Sequence, residues 1–315
     1  METTIRRKIL LAVDGSDQAL DAVRYVCDIV LPECTEIVIF NVGSGFPDVF
    51  WDMDNNPLYR SKKPKVIGWL ADHQLVLGEF KEKAYKVLAD AGFSKDNVRV
   101  KTQTRKTGVL KDIIQESYQD YSAIVVGRTG MSRLKDLFVR SLAYKLAEKV
   151  KHIPTVIVGG KPQSRKILIA LDESMEAMRG VTCIGALAGP SDPEITLCHC
   201  LDEVGMSRII SGSPNAAASA DDRRTYCKNR FRPYMDEASQ RLAEAGVSPD
   251  KITRRFVQAK GDTIQKIIHT ASTGNFSTLV VGRREDISFN QEYFRGRFSD
   301  KVIKAMDNMA VWVVS

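Results

Sequence analysis

The sequence predicts an α/β protein built twice, as two tandem, doubly wound, five-stranded parallel sheets in one chain. Three observations lead there. Lys8-Ile-Leu-Leu-Ala-Val-Asp14-Gly-Ser16 recurs as Lys166-Ile-Leu-Ile-Ala-Leu-Asp172-Glu-Ser174, a shift of 158 residues. Within a half, short continuous apolar runs alternate with segments of helical periodicity, the pattern of buried strands joined by helical crossovers. Between the halves lies Gly159-Gly-Lys-Pro-Gln-Ser-Arg165, a polar stretch whose Gly and Pro interrupt regular structure. The division is therefore 1–158, a linker over 159–165, and 166–315.

The elements follow in order. Ile9–Val13 is apolar throughout, as a strand covered on both faces requires. Ser16 is placed to cap a helix whose Ala19, Ala22, Val23, Val26 and Cys27 fall at helical spacing. Ile37–Val42 is a second strand, paired in the repeat with Glu194–Cys200. An irregular stretch over 43–65 precedes a helix from about 66 to 91 and a strand near 98–102. A helix over 108–118, a strand at Ala123–Val126, a helix over 141–150 and a strand at Thr155–Val158 complete the half. Ala123-Ile-Val-Val-Gly127-Arg128 recurs as Thr278-Leu-Val-Val-Gly282-Arg283, and the second half closes on Val311-Trp-Val-Val314. A second excursion is expected over 202–230. In doubly wound sheets ligands sit beyond the carboxyl ends of the strands, so Asp14, Val42, Gly127 and their counterparts are the positions to inspect.

Composition narrows the function. The 315 residues carry a net charge of +7, shared almost evenly by the halves, with 43% hydrophobic residues. No basic tail, RNA-recognition aromatic motif or zinc-finger spacing is present, which argues against nucleic acid. The apolar runs are too short to span a bilayer, and the first residues lack the apolar core of a secretory signal. Six scattered cysteines do not make a disulfide framework, and the expectation is a cytoplasmic protein with reduced thiols.

Several chemistries are excluded by motif. There is no P-loop, no G-x-S-x-G elbow and no H-E-x-x-H. Gly43-Ser-Gly45 lacks the third glycine of a dinucleotide fingerprint, and Phe46-Pro47 obstructs a helix start. Cys198-His199-Cys200 lies in a predicted strand, where alternation sends two thiols to one face and the imidazole to the other, so one metal cannot collect all three. Gly127-Arg128-Thr-Gly130, followed by Arg140-Ser141 at a helix start, is different. Glycines after a strand let backbone amides approach a polyphosphate, and a serine with first-turn amides can hold its outer phosphates. Arg128, Arg133, Lys135 and Arg140 add positive charge to that loop.

These residues resemble the universal stress protein family in its tandem two-domain form. The carriers are Val13-Asp14-Gly-Ser16 and its repeat, the partial G-2x-G-9x-G-[S/T] loop at Gly127, Gly130 and Ser141, and the closing Ser299-Asp-Lys-Val302 with Val311–Val314. The resemblance implies a Rossmann-like, adenine nucleotide alpha hydrolase-like fold with strand order 3-2-1-4-5. It also implies ATP as the ligand in some members, in a stress-response protein that is not an enzyme. By this resemblance Asp14 lies near ribose and phosphates, where it can also meet Mg2+, and the Val42 backbone meets adenine. Ala12, Val126, Gly127, Arg128, Gly130, Arg140, Ser141 and Leu142 complete the pocket. Arg140 stands where the family prefers its last glycine, and Ala12 where some ATP binders have proline.

The second half departs further. Asp172, Gly282 and Gly296 remain, but Glu285 replaces the second glycine, Arg297 replaces Ser/Thr, and Cys200 stands in the adenine strand. A carboxylate there repels phosphate oxygens. The expectation is therefore one ATP per chain, in the first half, with a degenerate second site. Two other readings stand beside it: an interaction scaffold with vestigial pockets and, ranked last, an ATPase switch, because no positioned general base or metal cluster is evident. The resemblance also implies an intramolecular pseudo-dimer through the final strands and leaves a homodimer open.

Overall fold

A computed structural model describes residues 7–43, 63–128, 142–162, 164–202, 219–259, 262–283, 301–303 and 308–315. The first half runs β1 (Arg7–Ala12), α1 (Asp17–Ile29), β2 (Thr35–Gly43), α2 (Lys63–Asp90), β3 (Val98–Thr104), α3 (Val109–Ser117), β4 (Ala123–Gly127), α4 (Leu142–Lys149) and β5 (Thr155–Val158). The second runs β6 (Ile167–Ala170), α5 (Met175–Ala188), β7 (Ile195–Asp202), α6 (Ala220–Glu244), β8 (Ile252–Ala259), α7 (Thr263–Thr273), β9 (Thr278–Gly282) and β10 (Ala310–Val314).

The expected five-stranded parallel orders are both present, and they are fused. The strand order is β3-β2-β1-β4-β5-β10-β9-β6-β7-β8, one ten-stranded sheet rather than two separate ones. The joint is the antiparallel pair β5–β10, with Val156 opposite Trp312 and Ile157 opposite Val311. Every other ladder is parallel. Neither apolar terminal strand is then left as an edge. The edges are β3 and β8, where exposed Arg99, Lys101, Arg254 and Arg255 discourage further pairing.

Strand alternation divides the core into two layers. Ile9, Leu11, Ile37 and Ile39 face α1 and α2, and Ile167, Ile169 and Leu197 face α5 and α6. Leu10, Val38, Phe40 and Ile124 face the opposite layer of α3 and α4, continued by α7. Local chemistry sets the helix ends in both halves. Ser16 and Ser174 accept from the backbone N–H three residues on, at 3.2 and 3.1 Å, as N-caps do. Gly92 and Gly246, at φ +92° and +102°, end α2 and α6 in the left-handed conformation that glycine adopts without strain.

The second excursion is shorter than the sequence suggests. From Ala220 onward the chain is helical, capped by Ser219, and Pro233 lies inside the helix. The helix is hidden in sequence because its first turns are charged and because proline reads as a breaker. It forms because Phe231, Met235, Ala238 and Leu242 bury one stripe against the sheet. Likewise α2 begins at Lys63, a few residues before its apolar pattern does.

Candidate functional site

The carboxyl ends of β1, β2 and β4 lie side by side in the first half, at the place where doubly wound sheets hold their ligand crevice. Ala12 lies between Phe40 and Val126 in register, and the Val13 N–H donates to the Phe40 carbonyl at 2.9 Å. Asp14, Val42 and Gly127 therefore lie at the carboxyl ends of three neighbouring strands, where the crossovers diverge. Ala12, Val42 and Val126 are buried in the α3/α4 layer, and Leu142 packs against the same cluster. Arg128 follows at the mouth. Gly130, Arg133, Lys135, Arg140 and Ser141, with Glu285, Gly296 and Arg297 of the repeat, lie outside the described residues.

Asp14 organises the turn into α1. Its Oδ1 accepts from the Ser16 N–H at 3.0 Å, Gly15 supplies φ +86°, and the amino-terminal end of α1 opens toward the crevice. Asp172 builds the same turn, accepting from the Ser174 N–H at 2.9 Å and from its hydroxyl. The glycines at the ends of β4 and β9 have a packing reason. A Cβ on Gly127 would lie 2.8 Å from the Gln18 carbonyl oxygen, and one on Gly282 would lie 2.6 Å from the Ala177 nitrogen. Each strand end abuts the first turn of the neighbouring helix. Asp172 and Gly282, expected as remnants of a ligand site, thus each have a structural role as well.

The arginines after those glycines act across the joint. Arg128 Nη1 donates to the Ile303 carbonyl of the second half at 3.4 Å, and Arg283 Nη1 donates to the Ala147 carbonyl of the first. A third tie is buried: Trp312 Nε1 donates to Tyr25 Oη at 2.7 Å, and that hydroxyl is 2.9 Å from Thr278 Oγ1. Burial, partly opposed by these bonds, pushes the Tyr25 hydroxyl pKa well up, so it stays protonated.

Sequence reasoning missed Asn41. Its Nδ2 donates to the Val13 carbonyl at 2.8 Å, while its buried Oδ1 has no hydrogen-bond partner among the described residues. Asn41 is 4% exposed, and its Oδ1 would lie 3.9 Å from a Cβ built on Gly43. By alternation with Phe40 and Val42 the Asn41 side chain faces the α1/α2 layer, and its orphan acceptor lies near the carboxyl end of β2. The only available signal was an amide in an otherwise apolar strand, Ile-Val-Ile-Phe-Asn-Val. The 158-residue shift places His199 at the corresponding position, with Nδ1 at 2.8 Å from the Leu171 carbonyl.

There the two crevices part. The His199 ring stacks on Phe231 with centroids 3.5 Å apart, and Phe256 meets it edge-on at 6.0 Å. Phe231 belongs to α6 and is fully enclosed. Cys198 and Cys200 turn to the opposite layer, as alternation requires. Burial, with the neighbouring Cys200, pushes the Cys198 thiol up to about 12. Cys27 is likewise pushed up by burial to about 12 and Cys183 to about 11, so these thiols are protonated and unreactive at neutral pH. Among the described residues, no group of three or more His, Cys, Asp or Glu side chains is placed to hold a metal ion. No helix among the described residues is long and apolar enough to cross a membrane.

The fold defines a class, a Rossmann-like α/β protein whose five-stranded unit is present twice in one chain. The particular family follows from sequence. The chain belongs to the universal stress protein family, whose model matches residues 6–159 and again 163–315. Among solved structures it is similar to a universal stress protein from Archaeoglobus fulgidus DSM 4304, at 17% identity and TM-score 0.60, covering 100% of this chain and 99% of that one. It is also similar to the functionally unknown protein PA1789 from Pseudomonas aeruginosa PAO1, at 14% identity and TM-score 0.57, covering 99% and 93% of the two chains. A putative universal stress protein from Pseudomonas aeruginosa UCBPP-PA14 matches at 14% identity and TM-score 0.55, covering 99% and 94%. At these identities the likeness is one of fold. No curated protein matches the sequence.

Proposed function

We propose that the protein is a cytoplasmic stress-response regulator, not an enzyme, that binds ATP in its first half. The observation that carries this reading is the unpartnered Asn41 Oδ1. A buried acceptor without a donor costs about 1–3 kcal/mol, which a ligand N–H or O–H in the crevice relieves. The Asp14 turn and the first-turn amides of α1 suit the ribose and phosphate side, and Val42 offers backbone groups to adenine. Gly130 and Ser141 supply, by their chemistry, the open amides and hydroxyl that phosphates need. If Mg2+ accompanies the phosphates, Asp14 is the carboxylate beside it, and the ion would neutralise phosphate charge.

A second reading, an interaction scaffold, is favoured for the second half by Phe231, which covers His199 with an aromatic face. The test is direct. The purified chain, incubated with ATP, desalted and heat-denatured, should release about one adenine nucleotide per chain on chromatography. A chain that releases none and takes up none supports the scaffold reading for both halves.

A further inference from the structure

The quasi-two-fold relation between the halves lets each feature of the joint be compared with its counterpart. On the α1/α5 face a cleft of about 630 Å3 opens where the halves meet, within the size range of small-molecule sites. It lies at the amino ends of the strands, remote from both crevices. Arg7, the first residue of β1, lines it from the first half. Thr182 and Ala186 of α5, with Arg241 and Glu244 of α6, line it from the second.

The 158-residue shift gives the corresponding place on the other side of the joint. Arg165 corresponds to Arg7, Asp28 to Ala186 and Arg24 to Thr182. There Asp28 and Arg165 are both exposed and make no ion pair or hydrogen bond among the described residues, and they interact only through their charges: partial burial raises the Asp28 pKa, and the charge of Arg165 works against that rise. At the cleft the guanidinium is kept, but a methyl group stands where the carboxylate would be. Arg7 is half-buried, and its guanidinium has no ion pair or hydrogen bond among the described residues. A partly desolvated cation without a counter-charge is unfavourable, and a carboxylate can restore two charge-assisted bonds in the geometry a guanidinium prefers.

The rest of the lining limits the charge of the occupant. Arg241 already donates to Glu237 Oε1 at 2.7 Å and Thr182 Oγ1 at 3.1 Å. Glu244, which accepts from Gln240 at 2.9 Å, puts one negative charge on the same wall. With Arg241 paired to Glu237, Arg7 is the one guanidinium of the lining left without a partner among the described residues, and Glu244 opposes further negative charge, which suits a monoanion and disfavours a polyphosphate. We propose that this cleft is a binding site for a small organic monocarboxylate, whose carboxylate pairs with the Arg7 guanidinium.

The test uses butyrate as the probe and the arginine Nε–Hε resonances of the intact, 15N-labelled chain as the readout. Titration with sodium butyrate, against sodium chloride at equal ionic strength, should shift one such resonance saturably. That resonance is assigned to Arg7 by its absence in Arg7→Gln. Ala186→Asp restores the missing carboxylate at a half-buried position and should weaken the butyrate response at least tenfold, with Arg7 still visible. The proposal is overturned if no resonance responds saturably, if chloride or inorganic phosphate shifts Arg7 as butyrate does, or if Ala186→Asp responds like the parent. ATP plays no part in this experiment, so its outcome is independent of the nucleotide reading.

Discussion

The two crevices share a frame and differ in what they offer a ligand. Both have an aspartate-built turn, a serine N-cap and a glycine pressed against the first turn of a helix. Each of these features has a packing or hydrogen-bonding role in the fold. The difference lies one position further along the second strand. Asn41 and His199 each bond the carbonyl just beyond the neighbouring strand, but Asn41 keeps an acceptor without a partner among the described residues, whereas His199 is covered by Phe231. The lesson is that residues shared between repeats mark structure, and the residues that diverge mark function.

The sharpest way to break the comparison is to exchange the loops. Gly130→Glu copies the second repeat into the first. Losing two or three charge-assisted phosphate contacts at about 1.5–3 kcal/mol each should weaken ATP binding by a few powers of ten. Glu285→Gly should leave ATP binding nearly unchanged, because Phe231 and Arg297 remain. Isothermal titration of both variants checks this, and equal losses from the two would erase the proposed asymmetry.

A second experiment tests the shared frame. Gly127→Ala and Gly282→Ala each drive a Cβ to within 3 Å of helix backbone, at 2.8 and 2.6 Å. Both should lose about 1–3 kcal/mol of stability without ligand, read from denaturant midpoints. If Gly127→Ala left stability intact and removed only ATP binding, the glycine would belong to the ligand and not to the fold.

The joint is asymmetric too. Tyr25 takes part in a buried network with Trp312 and Thr278, while the shift places Cys183 at the matching position of α5. Tyr25→Phe leaves the Trp312 N–H without its acceptor and should cost about 1–2 kcal/mol. Cys183→Ala, which breaks no hydrogen bond of this network, should cost less in the same thermal melt. Equal costs would show that the hydroxyl is not the tie.

The smallest effect is acid sensitivity. Asp192 joins the ends of α5 and α6, accepting from Lys251 Nζ at 2.7 Å and the Ser248 N–H at 2.8 Å, and its first-half counterpart is Cys34. Those bonds hold the Asp192 pKa below the ordinary carboxylate range, the Lys251 bond foremost. A depressed folded-state pKa gives stability that is full above the unfolded value, near 3.9, and lost as pH falls through the folded value. Asp192→Asn should therefore melt lower than the parent at pH 7, with the gap closing below pH 4. A gap independent of pH would assign the effect to geometry rather than charge.

Much of this was legible in the sequence because the carriers are local. Continuous apolar runs at Ile9–Val13 and Ala123–Val126 can only be doubly covered strands, and Ser16 announces its helix. The pairing of the final strands follows from two apolar edges tethered in one chain. What was hidden depends on three-dimensional neighbours. The close approach of the Gln18 carbonyl to Gly127, a packing reason for glycine there, has no mark in the sequence. Arg128 looked like loop charge until it was seen to reach the other half. The helical start of α6 was masked by its charges and by Pro233. Asn41 could not be singled out, since an unsatisfied oxygen is a property of surroundings and not of composition.

The central claim is that one crevice binds ATP and the other does not. Equilibrium dialysis of radiolabelled ATP against the intact chain, carried to saturation, measures it most directly. The account predicts one ATP per chain, lost in Gly130→Glu and retained in Glu285→Gly. Two equivalent sites, or a single site that survives Gly130→Glu, would contradict it.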